Sequence, residues 1–217
     1  MKIWKNTSTL DGYDNGLQFT DSKNDAIIAL LGSKSININD FPMLKAIFRA
    51  GIGKDNVPEY QARERGIKVC YPSKDTSNII FQETAHFVCA TIMKMLYDNI
   101  GTINPWVKFP RKQLVKKTLL IIGLGKIGTL VNDLMKQFMI VDTFDIINNK
   151  PIELKSLVNR ADCITIHIPN SKDNKNFIDQ EKLSWMKDGS ILINTSRGEI
   201  VNENALYEEL TTFRIKA

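Results

Sequence analysis

Thr118-Leu-Leu-Ile-Ile122-Gly123-Leu-Gly125-Lys126-Ile127-Gly128 is the stretch on which the fold turns. Its first five residues, apolar and β-branched, predict a buried strand over Thr118–Ile122. Apolar residues at helical spacing then predict a helix over residues 126–137. The three glycines between them do different work. The first permits a tight turn, the second lets backbone amides approach a pyrophosphate, and the third lets helix and strand pack closely. The helix start adds free N–H groups and partial positive charge, which suit phosphate.

A second strand over residues 139–144 ends in Asp145, 17 residues after Gly128. An acid there accepts hydrogen bonds from both ribose hydroxyls of NAD and repels the 2′-phosphate of NADP. Alone, the glycine turn is also read as a βα turn that binds nothing, and Asp145 as a solvated strand-end acid. Together they predict a dinucleotide site.

The pattern continues downstream: a helix over residues 153–159, a strand over 163–168 ended by Pro169, a helix over 179–186, a strand over 190–194 and a helix over 202–210 capped by Asn202. This βαβαβαβα order is that of a doubly wound parallel sheet. Upstream the order is similar. A short strand over residues 3–5 is followed by an apolar run, 26–31, that stops at Gly32. A strand over 44–49 is closed by Arg49-Ala50-Gly51-Ile52-Gly53. A helix over 58–65 stops at Gly66, and a strand over 67–71 stops at Pro72. A long helix over 78–97 leads into a breaker-rich stretch, 99–110, where a domain boundary is expected. No fixed-period repeat is visible.

Composition excludes several classes. With 43% hydrophobic and 24% charged residues in 217, the chain is globular and large enough for one large or two small domains. Its longest apolar runs, residues 26–31 and 119–122, are far below the roughly 20 residues that cross a bilayer. The opening MKIWKN has no signal-peptide core. Cys70, Cys89 and Cys163 are dispersed among apolar residues, the pattern of reduced, buried thiols in a cytoplasmic protein. The formal charge of +5 is densest at Lys108, Arg111, Lys112, Lys116 and Lys117. No aromatic-basic module accompanies it, so no nucleic acid is expected; a small anion or a dinucleotide phosphate fits.

At the end of the strand over residues 190–194 stands Asn194-Thr195-Ser196-Arg197-Gly198. In a doubly wound sheet that edge faces the ligand crevice. An arginine there can hold a carboxylate by two parallel bonds; taken alone, it reads more simply as a surface salt-bridge partner.

These residues, with His167-Ile-Pro169, Leu183-Ser-Trp-Met-Lys-Asp-Gly189 and Val201-Asn-Glu-Asn-Ala-Leu206, resemble the signature region of the D-isomer-specific 2-hydroxyacid dehydrogenases. The family includes phosphoglycerate dehydrogenase. Upstream, Arg49-Ala50-Gly51-Ile52-Gly53, Asp55-Asn-Val57 and Gly66-Ile-Lys-Val69 resemble its substrate-loop region, and Glu83 sits where its hinge helix usually carries a glutamate. The resemblance implies an α/β protein: a flavodoxin-like substrate domain, residues 1–98, plus a Rossmann-type NAD-binding domain, residues 99–217. It also implies that both are incomplete at the C-terminal end.

The chemistry so implied is hydride transfer between C4 of NAD and C2 of a 2-hydroxy or 2-keto acid, 3-phosphoglycerate being one such acid. Arg197 is then the catalytic residue that binds the substrate carboxylate and polarises the keto oxygen. The amides of Ala50, Gly51, Ile52 and Gly53 receive the same carboxylate. Gly123, Gly125, Lys126, Ile127, Gly128, Asp145, His167, Pro169, Thr195 and Ser196 bind the cofactor, and no metal is expected. A homodimer is expected of the full-length protein. Arg49, Lys54 and Lys74 are candidate contacts for a substrate phosphate.

The family's acid–base histidine and its supporting glutamate follow the Arg signature, whereas the two histidines here, His86 and His167, precede Arg197. Glu83 and His86 are spaced i,i+3 and read as a local pair. Residues 211–217 read as a helix end and the start of a strand, so a chain lacking roughly the last third of a dehydrogenase, inactive and marginally stable alone, is expected. The alternative is a non-catalytic, NAD-responsive binding or regulatory module.

Overall fold

A computed structural model describes residues 1–12, 16–97, 101–110 and 113–217. The chain divides into two compact units, Met1–Ile80 and Phe81–Ala217. The boundary expected between residues 98 and 99 lies outside the described residues, as do Arg111 and Lys112 of the basic cluster.

In the first unit, β1 (Lys2–Lys5), β2 (Gln18–Phe19), β3 (Ile28–Leu31), β4 (Ala46–Arg49) and β5 (Lys68–Cys70) form one sheet in the order β2-β1-β3-β4-β5. Every pair is parallel. This is the flavodoxin-like order that the resemblance implies. Strand β2 was not foreseen. Two residues carry no readable alternation, and the strand exists because the outer edge of β1 gives it partners. The connections include one α-helix, α1 (Glu59–Glu64), and 3-10 turns at Lys23–Asp25 and Ile38–Asp40. The core gathers Ala29, Leu31 and Ile47 from the strands with Phe41, Ala62 and Ile67 around them. Trp4 meets Phe41 edge to face at 5.0 Å between ring centroids.

Helix α2 (Lys74–Leu96) begins in the first unit and continues in the second. It starts four residues before the predicted position because the Ser73 hydroxyl accepts the Thr76 N–H and caps it. Lys74, a candidate phosphate contact, is the first residue of that helix.

The second unit continues with β6 (Thr118–Ile122), α3 (Lys126–Met135), β7 (Ile140–Phe144), α4 (Glu153–Arg160), β8 (Cys163–Ile166), α5 (Gln180–Ser184), β9 (Ile191–Asn194) and α6 (Glu203–Thr211). The sheet is parallel throughout, in the order β7-β6-β8-β9. Helices cover both faces, which is why β6 is apolar without alternation. Leu119 and Ile121 pack with Val88, Ile92, Val131 and Met135. Leu120 and Ile122 pack with Leu154, Val158, Leu183 and Ala205 on the other side.

Caps set the helix starts. Asp179 accepts the Lys182 N–H before α5, and Asn202 accepts the Ala205 N–H before α6, as its sequence position predicts. Beyond α6, Lys216 bridges in parallel to Ile191, so the strand start read over residues 211–217 is present.

In both sheets the chain places its second strand on one side of the first and its third on the other. The switch points fall between β1 and β3 and between β6 and β8. Ligand crevices form outside the carboxyl ends of strands at such points. Among the described residues, no helix is long and apolar enough to cross a membrane. The three thiols are free; Cys163 is buried, while Cys70 and Cys89 are half-buried rather than enclosed as expected.

Candidate functional site

At the β6/β8 switch point the chain leaves a cleft of about 270 Å³. It is lined by Gly123 and Gly125, by Asp145 and the isoleucines behind it, and by His167, Ile168, Pro169, Asn174 and Phe177. Apolar walls with a few convergent polar groups are what a small-molecule site needs.

The three glycines differ in what a side chain would meet. Gly123 has φ +96°, and a Cβ on it would lie 2.8 Å from the His167 carbonyl carbon. No other residue fits that turn. A Cβ on Gly128 would lie 2.0 Å from the Gly123 carbonyl oxygen, so the third glycine is what allows α3 to close onto β6. A Cβ on Gly125 would meet nothing within 4 Å. That position is not needed for packing; its missing side chain leaves the cleft floor open where α3 begins. The cradle therefore fits a pyrophosphate. Lys126 and Ile127 start α3 beside it, Lys126 exposed and Ile127 half-buried.

Asp145 follows β7 and faces the cleft. Its carboxylate accepts the Leu124 N–H at 2.8 Å and the Ile147 N–H at 2.9 Å. The acid thus ties the glycine loop to the turn after β7. His167 continues the β8 ladder, its N–H donating to the Ile122 carbonyl at 2.7 Å. Its ring Nε2 lies 3.1 Å from the Thr165 hydroxyl. Burial pushes its pKa down to about 4, so the imidazole is neutral near pH 7.

Arg197 lies one strand over, after β9. Its loop is pinned to the end of β8: the Ser196 hydroxyl donates to the Ile166 carbonyl at 2.7 Å, and the Ser196 N–H donates to the Asn194 Oδ1. The Asn194 amide donates to the Arg197 carbonyl at 2.7 Å. Thr195, Ser196 and Arg197 are half-buried and stand beside the cleft residues in sequence register, without lining the cleft itself.

In the first unit, the loop 50–53 wraps the side chain before it. The Arg49 guanidinium is buried and donates to the carbonyls of Leu31 and Gly53 and to Asn56 Oδ1, at 3.1 to 3.2 Å. A Cβ on Gly51 would lie 2.8 Å from that guanidinium. Arg49 is therefore turned into the protein, which corrects its reading as a phosphate contact. Lys54 lies over the Tyr71 ring at 4.8 Å. The Ala50 N–H is also engaged, donating to the Leu31 carbonyl at 2.9 Å. Among the described residues, the amides of Gly51, Ile52 and Gly53 have no acceptor in the chain. Glu83 and His86 stand 3.6 Å apart on the exposed side of α2, the local pair their spacing suggests.

Sequence reasoning missed the apolar lining: Ile146, Ile147, Ile168 and Phe177. Ile146 and Ile147 are 79% and 86% exposed, and two isoleucines directly after a strand-end acid were the available signal.

The sheet order and the cleft define a dinucleotide-binding α/β protein. The sequence model of the D-isomer specific 2-hydroxyacid dehydrogenase NAD binding domain matches residues 88–217, more than half the chain. The chain belongs to that family, and the cofactor of its domain is NAD.

Among curated proteins, the hydroxypyruvate reductase of Thermotoga maritima is 32% identical over 186 residues, 80% of this chain and 60% of that protein. The D-3-phosphoglycerate dehydrogenase of Methanocaldococcus jannaschii is 30% identical over 210 residues, 89% of this chain and 40% of that protein. The chain thus spans 60% or less of the length of these two relatives. Among solved structures, D-lactate dehydrogenase from Aquifex aeolicus, complexed with NAD and lactic acid, superposes with a TM-score of 0.72 at 22% identity. That match covers 99% of this chain and 74% of the other.

Proposed function

We propose that this chain is the substrate- and cofactor-binding part of an NAD-dependent D-2-hydroxyacid dehydrogenase. The observation that carries the reading is the division of labour among Gly123, Gly125 and Gly128 beside Asp145. When bound, NAD supplies the hydride chemistry. The chain's own residues do the rest. The α3 start and the glycine amides hold the pyrophosphate, with Lys126, Ile127, Thr195 and Ser196 around it. Asp145 takes the ribose hydroxyls, and Pro169 with the isoleucines encloses the apolar end. Arg197 anchors the substrate carboxylate and polarises the keto oxygen. The amides of Gly51, Ile52 and Gly53, beside the buried Arg49 cation, are open to a carboxylate; the Ala50 amide, already engaged, drops out.

His167 is neutral, half-buried and set on the cofactor side, which supports a cleft-lining role and no proton transfer. In this reading residues 1–98 serve the substrate and residues 99–217 the cofactor. Substrates are small 2-hydroxy or 2-keto acids, with 3-phosphoglycerate and hydroxypyruvate suggested by the relatives' names. The whole protein works in the cytoplasm as a homodimer.

Titrating the chain with NADH while following nicotinamide fluorescence tests the cofactor half. Saturable enhancement is expected. Gly125→Val should abolish it at an unchanged melting temperature, since a Cβ there meets only open space. An unsubstituted chain that folds but gives no enhancement would sink the reading.

A further inference from the structure

The turn after β7 is built around a residue that neither the sequence pattern nor the family motif singles out. The Asp145 N–H donates to Asn149 Oδ1 at 3.0 Å, and the Asp145 carbonyl accepts the Asn149 N–H at 2.8 Å. The other end of the same amide is also fixed: Asn149 Nδ2 donates to Glu153 Oε2 at 2.8 Å, in the first turn of α4. Asn149 is half-buried, while Ile146, Ile147 and Asn148 before it are exposed. One side chain therefore closes residues 145–149 into a ring and locks that ring to a helix.

The Asp145 backbone sets where its carboxylate points, because side-chain rotamers follow backbone conformation. Each carboxylate oxygen offers about two lone-pair positions. One on each oxygen is used, by Leu124 and by Ile147. What is left is one acceptor position per oxygen, the complement of two vicinal ribose hydroxyls. A 2′-phosphate brings negative charge and no donor, and a carboxylate held by two amides cannot swing away from it.

Resting on the NAD reading above, we infer that Asn149 is a positioning residue for cofactor choice: it holds Asp145 so that a ribose diol is accepted and a 2′-phosphate is refused. It acts through Asp145 and does not itself line the cleft.

The test is the ratio of dissociation constants for NADPH and NADH on the full chain, with melting temperature measured alongside. Asn149→Ala removes both hydrogen bonds. The ratio should narrow by about tenfold, the size of one ordinary side-chain hydrogen bond to an ordered group. The double variant Asn149→Asp with Glu153→Gln keeps the acceptor for the Asp145 N–H and restores a donor–acceptor pair to α4, and should hold the ratio at or above that of the unsubstituted chain. A merely structural Asn149 would lower the melting temperature and leave the ratio alone. An unchanged ratio in Asn149→Ala, or equal narrowing in both variants, overturns the inference while leaving the NAD site standing. An unsubstituted chain that binds neither nucleotide overturns both.

Discussion

The two sheets share one plan and end differently. Each is parallel, and each sends its second strand to one side of the first and its third to the other. Each therefore has a switch point where neighbouring connections part. In the first unit the chain's own side chains fill that edge. Gly32 sits against Thr7, and its N–H donates to Asn6 Oδ1. The Asn56 amide donates to the carbonyls of Gly32 and Lys34, and Arg49 joins the ends of β3 and β4. In the second unit the same edge is lined by glycines and left as a cleft. Topology makes the crevice; the side chains at the strand ends decide whether the switch point is packed by the protein itself or left open.

If that contrast is right, the glycines of the second unit should be separable. Gly128→Ala pushes a Cβ to 2.0 Å from a backbone oxygen, and neither α3 nor β6 can give way cheaply. A loss of about 4 kcal/mol is expected, read by urea unfolding followed through helix content. Gly125→Val should show the opposite profile, stable and unable to bind. Similar losses of stability from the two substitutions would erase the distinction between a packing glycine and a ligand glycine.

The filled edge of the first unit offers the next largest effect. Arg49→Leu keeps bulk but leaves Asn56 Oδ1 and the Gly53 carbonyl without their donor in a buried place. About 3 kcal/mol should be lost. Hydrogen exchange should speed up in β3 and β4 first, and a variant as stable as the parent would show that Arg49 is not the plug.

The smallest effect is on pH. Burial lowers the His167 pKa from 6.5 to about 4. Between those values the unfolded chain takes up a proton that the folded chain refuses. Stability is therefore full above about pH 6.5 and falls as the pH drops toward 4, by about 2 kcal/mol once the ring's partial exposure is discounted. His167→Gln should flatten that slope in melting temperatures measured from pH 7 to 4.5. An identical slope would place the acid sensitivity elsewhere.

The second unit was the more legible in sequence. Its strands are buried on both faces, so their apolar runs stand out, and its helices carry caps such as Asn202. Edges blurred where local chemistry outran periodicity: α2 begins early on Ser73, and β8 ends at Ile166, two residues before the predicted end at Ile168. In the first unit β2 had no pattern to read, and Arg49 read as a candidate phosphate contact because nothing in a linear string says which way a strand-end arginine turns.

The sequence by itself determined the doubly wound plan, the three glycine positions and the acid after β7, because each depends on local spacing and on what a backbone turn permits. Only the tertiary structure decided that Arg49 points inward, that Asp145 is held by two amides and by Asn149, and that Ile146 and Ile147 wall the cleft. Those outcomes depend on hydrogen-bond partners and neighbours brought together by strand pairing, and pairing is a property of the folded sheet.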